Sequence, residues 1–236
     1  MKLQVFKKGM KDGIPIMLGY FAVSFTFGMM AVQGGLSVFQ SVSISLLNLT
    51  SAGQFAGLDI ILAAGSLWEM ALTQMIINLR YMLMSFSVGQ KLDKKYSWWH
   101  RFGVAAGMTD EIFGITTLHQ GDVPPYYVYG AMAVAVPGWT LGTLAGALAG
   151  QVLPAIIISA LGIAIYGMFL AIIIPPARTN KTLVWVIVGA MALSAAFKYI
   201  PGLNKVSSGF VIIIVTVVVA ALAAWLRPIK EEGKNE

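Results

Sequence analysis

A chain of 236 residues that is 58% hydrophobic and only 11% charged, with a mean hydropathy of +0.78, is not an ordinary soluble domain, in which about a quarter of the residues carry charge. The formal charge of +6 is modest and its basic residues cluster between apolar runs, which excludes a nucleic-acid-binding stripe, and the absence of cysteine excludes a disulfide framework and thiol chemistry. What remains is an all-α polytopic membrane protein, residues 1–236 forming one integral membrane domain with room for roughly six to eight segments of ~20 residues.

In chain order, Lys2, Lys7, Lys8 and Lys11 precede an apolar run from Ile14 to Val32. The run is too long for a signal peptide and lacks a small-residue cleavage site, so it is expected as the first span, with the amino terminus in the cytoplasm. Residues Ser37 to Ala64 are apolar but interrupted by Asn48, Thr50, Ser51, Gly53 and Gln54. An unpaired backbone polar group in lipid costs several kcal/mol, so such a break survives only when it is buried in protein or lines a watery cavity. Ser66 to Val88 is long enough to cross. It leads into KLDKKYSWWHR, where Lys91, Lys94, Lys95 and Arg101 sit beside Tyr96, Trp98 and Trp99, the mixture expected at a cytoplasmic interface. Phe102 to Leu118 is then expected to cross outward, Tyr127 to Gly150 to return, and Leu153 to Ile174 to span or fold back. A segment from Thr182 to about Ala196–Pro201 and a last span, Gly209 to Leu226, complete the chain.

Charge asymmetry favours six crossings plus two broken or re-entrant segments, at 37–64 and 153–174. With both folding back, the amino-terminal cluster, the second cluster, Arg178 with Lys181, and Arg227, Lys230 and Lys234 all fall inside, 13 of the 16 basic residues; with every segment crossing, fewer do. Both termini are then cytoplasmic, and residues 1–118 and 119–236 become antiparallel copies of one plan. A shift of 118 residues places Ser24 on Gly142, Gly28 on Gly146, and Leu79-Arg80-Tyr81 on Phe197-Lys198-Tyr199. Gly138, Gly142, Gly146 and Gly150 recur at every fourth position. They allow close helix approach, either inside the molecule or at a dimer face.

The order TSAGQFAG, NLRYML and then MTDE resembles the AzlC family of branched-chain amino acid exporters, with its AGxxQ, NxRH and TDE elements. The match departs at Thr50-Ser51, where the family usually has Ala-Gly, and at Tyr81, where it usually has His. The resemblance implies export of hydrophobic amino acids together with a small membrane subunit of the AzlD type. No cofactor is expected, and metal sites are poor, since the two histidines, His100 and His119, stand near predicted segment ends.

A small neutral amino acid needs its carboxylate and ammonium matched after desolvation, and its side chain needs an apolar pocket. The start of a half-helix favours an anion, which assigns Ser51, Gly53 and Gln54 to the carboxylate and Asp59 to the ammonium. Glu69, Thr73 and Arg80 share one helix face. Glu69 and Arg80 are too far apart along that helix to pair, so Asp110 or Glu111 is the expected partner of Arg80. The chain has no phosphate-cradling loop, so a proton gradient is the expected energy source and Glu69 the expected coupling group. The competing readings are an accessory membrane subunit that transports nothing and an intramembrane hydrolase. The latter lacks a histidine at membrane depth to activate a serine.

Overall fold

The computed structural model describes residues 2–154 and 177–226, with 156, 167, 170 and 173–175 between them. Its described elements are helices: α1 (Lys2–Gln33), α2 (Val38–Leu47), α3 (Ala52–Leu62), α4 (Leu67–Lys91), α5 (Trp99–Ala105), α6 (Asp110–Thr117), α7 (Pro125–Ala149), α8 (Lys181–Tyr199) and α9 (Ser208–Leu226), with a 3-10 turn at Leu203–Lys205. Among the described residues α1, α7, α8 and α9 are long and apolar enough to cross a membrane. The expected segment 153–174 lies largely outside the described residues, as do Arg227, Lys230 and Lys234. The chain divides into two compact units, Met1–Leu58 with Ile77–Tyr166, and Asp59–Ile76 with Gly167–Glu236.

The first unit is built on α1 and α7. The glycines of α7 seat the backbone of α1: a Cβ on Gly138, Gly142, Gly146 or Gly150 would fall within about 3 Å of Met17, Phe21, Phe25 or Met29 respectively. Gly9, Gly13 and Gly28 of α1 are closed in the same way by Tyr127, Ala131 and Thr143. Absent side chains let two helices approach backbone to backbone and gain dispersion contacts along the seam. The fourfold glycine run is therefore internal packing against α1.

The register of this seam rises in the same sense on both helices, so α1 and α7 run parallel. This corrects the expectation that 127–150 returns antiparallel to the first span. The reason lies in residues 102–118, expected as an outward crossing but folded here as two short helices of seven and eight residues, each too short to span. The ends of this stretch meet: Asp93 N–H donates to Val123 O (3.0 Å), Val123 N–H donates to Lys91 O (2.9 Å), and the Lys91 ammonium donates to Thr117 O. Chain that leaves and returns to one place is a hairpin. The first helix of each expected repeat half thus runs in the same direction as the other.

Residues 37–64 break where the polar residues stand. Ser37 and Gln40 form a reciprocal capping box that starts α2, and α2 ends at Asn48. Ser51, with a left-handed φ of 46°, turns the chain into α3. Helix α2 enters from the carboxyl end of α1, where Leu36 N–H donates to Ala31 O, and carries Ser45 to Thr143 in the last third of α7. Helix α3 then climbs back, with Phe55 against Phe27 and Leu58 packed on Phe27 and Ala31. This stretch too is a hairpin, entering from the opposite end to α5–α6.

The two basic clusters share one end of this unit: Lys2 lies over the ring of Tyr126, and Tyr126 packs on Tyr96 and His100. In the second unit α8 packs on α9, and Gly209 of α9 closes on Glu69 and Thr73 at the start of α4.

Candidate functional site at two hairpin tips

Each hairpin in the first unit has its tip where a helix is broken, and the two tips come together. The tip of α2–α3 is Asn48–Ser51. The tip of α5–α6 is the stretch before Asp110, where Thr109 is extended and its hydroxyl accepts from Ile112 N–H (3.3 Å), capping α6. Asp110 and Glu111 then occupy the first turn of α6, where carboxylates complement the exposed N–H groups.

Between the tips stands the second half of α4. Arg80 Nη1 contacts Asp110 Oδ2 at 3.0 Å, Arg80 Nη2 donates to Tyr81 OH (3.0 Å), and Tyr81 OH donates to Thr50 O (3.2 Å). The guanidinium also lies 4.8 Å from the centre of the Tyr81 ring. One arginine–tyrosine dipeptide thus ties the acidic tip to the open backbone of the other tip. The Arg80 and Asp110 side chains keep 43% and 34% of their surface accessible, so the pair is reachable by a ligand.

The other side of the site is closed by α1 and α7. Tyr20 OH donates to Glu111 Oε2 (2.5 Å), and its ring meets Trp139 edge-on at 5.3 Å. Trp139 Nε1 donates to Gln54 Oε1 (2.9 Å), and Gln54 Nε2 donates to Ser45 Oγ (2.5 Å). Ser45 lies 2.6 Å from Thr143 Oγ1, which donates to Ser24 O (3.3 Å). Only one proton arrangement satisfies all of these groups: the amide oxygen of Gln54 accepts from Trp139, and its NH2 starts a chain of donations through Ser45 and Thr143 to the backbone. Such aligned bonds polarise one another in a low dielectric. Gln54, Trp139, Ser45 and Thr143 are all buried.

From Thr50 through Tyr81, Arg80, Asp110, Glu111, Tyr20 and Trp139 to Gln54, polar and aromatic contacts return to within four residues of their start. Ser51, at that junction, has a buried hydroxyl with no hydrogen-bond partner among the described residues. A buried orphan hydroxyl costs about 1–3 kcal/mol, and a left-handed non-glycine residue adds about 1–3 kcal/mol of strain. Both costs fall on the same residue of the tip.

Of the residues expected from sequence, Ser51, Gly53 and Gln54 lie at or next to one tip, Asp110 and Glu111 at the other, and Arg80 pairs with Asp110. Asp59 is exposed on α3, about 140° around the helix from Gln54 by helical geometry. Glu69 lies in the second unit, where it is buried. Its Oε1 accepts from Ser207 Oγ (2.5 Å) and Gly209 N–H (3.0 Å), and Ser66 Oγ caps its own N–H (3.1 Å). Thr73 Oγ1 beside it is buried without a partner among the described residues. Tyr20, Ser45, Trp139 and Thr143 were not singled out from sequence. Among the described residues no cluster of histidines and carboxylates could hold a metal ion.

The AzlC protein family matches residues 15–153, more than half of the chain. The chain belongs to the AzlC family. It is 31% identical over 195 residues to an uncharacterized membrane protein of Archaeoglobus fulgidus, covering 82% of this chain and 85% of that relative. It is likewise 31% identical over 202 residues to the inner membrane protein YgaZ of Escherichia coli, covering 79% and 80%. No solved structure matches it. The span shared with AzlC proteins begins inside α1 and ends just past α7, so it contains both hairpins and every residue of the ring. Membership supports a transport-related role in the membrane.

Proposed function

We propose that this AzlC protein is a secondary transporter that exports branched-chain or other hydrophobic amino acids across the cytoplasmic membrane. The single observation that carries the reading is the meeting of two opposed hairpin tips at a reachable Arg80–Asp110 pair. Broken helices at mid-depth present backbone N–H groups, carbonyls and charges where a zwitterion needs them. The substrate carboxylate is matched by the Ser51–Gln54 tip and Arg80, and its ammonium by Asp110 and Glu111. Those two acids replace Asp59 in that role because they stand at the ring, whereas Asp59 is exposed on α3.

The end carrying both basic clusters is assigned to the cytoplasm by the positive-inside bias, so the Asn48–Ser51 hairpin enters from outside. A small AzlD-type membrane subunit is the proposed partner, and a proton gradient acting through Glu69 the proposed energy source. The test is counterflow of radiolabelled leucine in vesicles holding the full chain, with and without such a subunit. Valine, isoleucine and methionine should compete, and lysine and glutamate should not. Equal competition by lysine or glutamate contradicts the reading.

A further inference from the structure

The same unit holds a cavity of about 610 Å³ between the end of α4 and α5, a volume in the range of small-molecule sites. Tyr81 forms its inner wall, Met82, Phe86 and Phe102 its sides, and Ser85 and Arg101 its polar points. Three observations bear on its role, and the first connects it to the ring. Tyr81 belongs to both: its hydroxyl is bonded to Thr50 O and Arg80. From Tyr81 the cavity follows α4 to Gln90, ~14 Å of helix, and so ends at the basic cluster of 91–101. The approach of α5 along this length is loose, since a Cβ on Gly89 would meet only the Arg101 side chain, at 4.0 Å.

We propose that this cavity is the entry vestibule, in which the amino acid first binds with its carboxylate on Arg101 and its aliphatic side chain against Met82, Phe86 and Phe102. Tyr81 separates the vestibule from the hairpin tips and is the residue the substrate displaces on its way inward. The chemistry of the lining selects a neutral, apolar amino acid: one cation faces the carboxylate, and none of the six lining groups named above is a carboxylate that could receive a second positive charge. This inference rests on the export reading and names how that site is reached.

The chain has no cysteine, so Ser85→Cys gives a single reporter. In inside-out vesicles of the full chain, an impermeant thiol reagent should modify Ser85→Cys, leucine and valine should slow the reaction at least tenfold, and lysine and glutamate should not. Adding Arg101→Gln should raise the leucine concentration needed for protection about tenfold. Gln90→Cys, on the same wall, replaces Ser85→Cys if the latter does not assemble. Absence of labelling while Lys94→Cys reacts makes the cavity a lipid-facing groove and overturns the proposal. Leucine counterflow is read in the same vesicles. Intact counterflow without protection overturns the vestibule alone, and absent counterflow overturns the export reading on which it stands.

Discussion

Arg80 and Asp110 stand 3.0 Å apart because a continuous helix passes the point where a broken one begins. Arg80 lies well inside α4, whereas Asp110 is the first residue of α6, presented at a hairpin tip. An arginine facing a helix start would meet unfavourable partial charge; the two acids of the first turn reverse that sign. The pair is half accessible, so its coupling is modest. A double-mutant cycle of Arg80→Ala with Asp110→Ala should give a coupling on the order of 1 kcal/mol in unfolding. The same cycle read in leucine counterflow should show either single variant losing nearly as much activity as the double. Strict additivity in both would mean that the two residues act separately.

Gln54 should matter to stability beyond its size. Gln54→Leu leaves the buried Trp139 indole N–H without its partner, at a cost of about 1–3 kcal/mol, and takes from the Ser45 hydroxyl one of its two hydrogen bonds, leaving that to Thr143. Trp139→Phe strands only the Gln54 carbonyl. In denaturant titrations of the micelle-solubilised protein, Gln54→Leu should therefore lose more than Trp139→Phe, and the double variant less than the two together.

The parallel α1–α7 seam leaves no room for one methyl group at Gly146. A Cβ on Gly146 would lie 1.9 Å from Phe25 O, whereas one on Gly114 would meet nothing within 4 Å. Overpacking of this kind costs about 1–3 kcal/mol. Thermal unfolding should show a lowered Tm for Gly146→Ala and an unchanged one for Gly114→Ala.

Sequence made the α2–α3 break legible because Asn48, Thr50, Ser51 and Gln54 interrupt an apolar run, and polar side chains in lipid need a reason. The partner of Arg80 was legible by a similar demand for charge matching. The α5–α6 break was not, because Val104 to Met108 is as apolar as any span. Its signal was Thr109 followed by Asp110 and Glu111, an N-cap with an acidic first turn, which announces a new helix start. Reading through it reversed the direction of α7. Tyr20, Trp139 and Thr143 carried no signal, since α7 and the part of α1 beyond Asp12 are apolar all round and only the packing shows which face meets the tips, and Ser45 of α2 carried none either. The shift that set Ser24 on Gly142 pointed to a real relation of another kind: a Cβ on Gly142 would lie 2.2 Å from Ser24 Oγ, so the two positions touch.

Glu69 offers the test of energy coupling. Its Oε1 accepts from Ser207 and Gly209 at the start of α9, and a glutamine oxygen can accept both bonds. Glu69→Gln should therefore assemble and exchange leucine normally but lose the dependence of net export on an imposed pH gradient. Unchanged accumulation against the leucine gradient would remove Glu69 from that role. Gly209→Ala, whose Cβ would fall 2.5 Å from Glu69 Oε1, should instead lower Tm.

The central claim is that substrate binds where the hairpin tips meet, and ligand-induced stabilisation of the purified full chain tests it most directly. A ligand at about 100 times its Kd stabilises the folded state by about 2.7 kcal/mol. Leucine should raise the Tm of the unmodified protein, and lysine should not. Ser51→Ala removes a hydroxyl without a hydrogen-bond partner among the described residues, and Asp110→Asn keeps the shape of the tip, so both should fold with near-normal Tm and yet lose most of the leucine-induced rise. A rise of the same size and concentration dependence in both variants would place the substrate elsewhere.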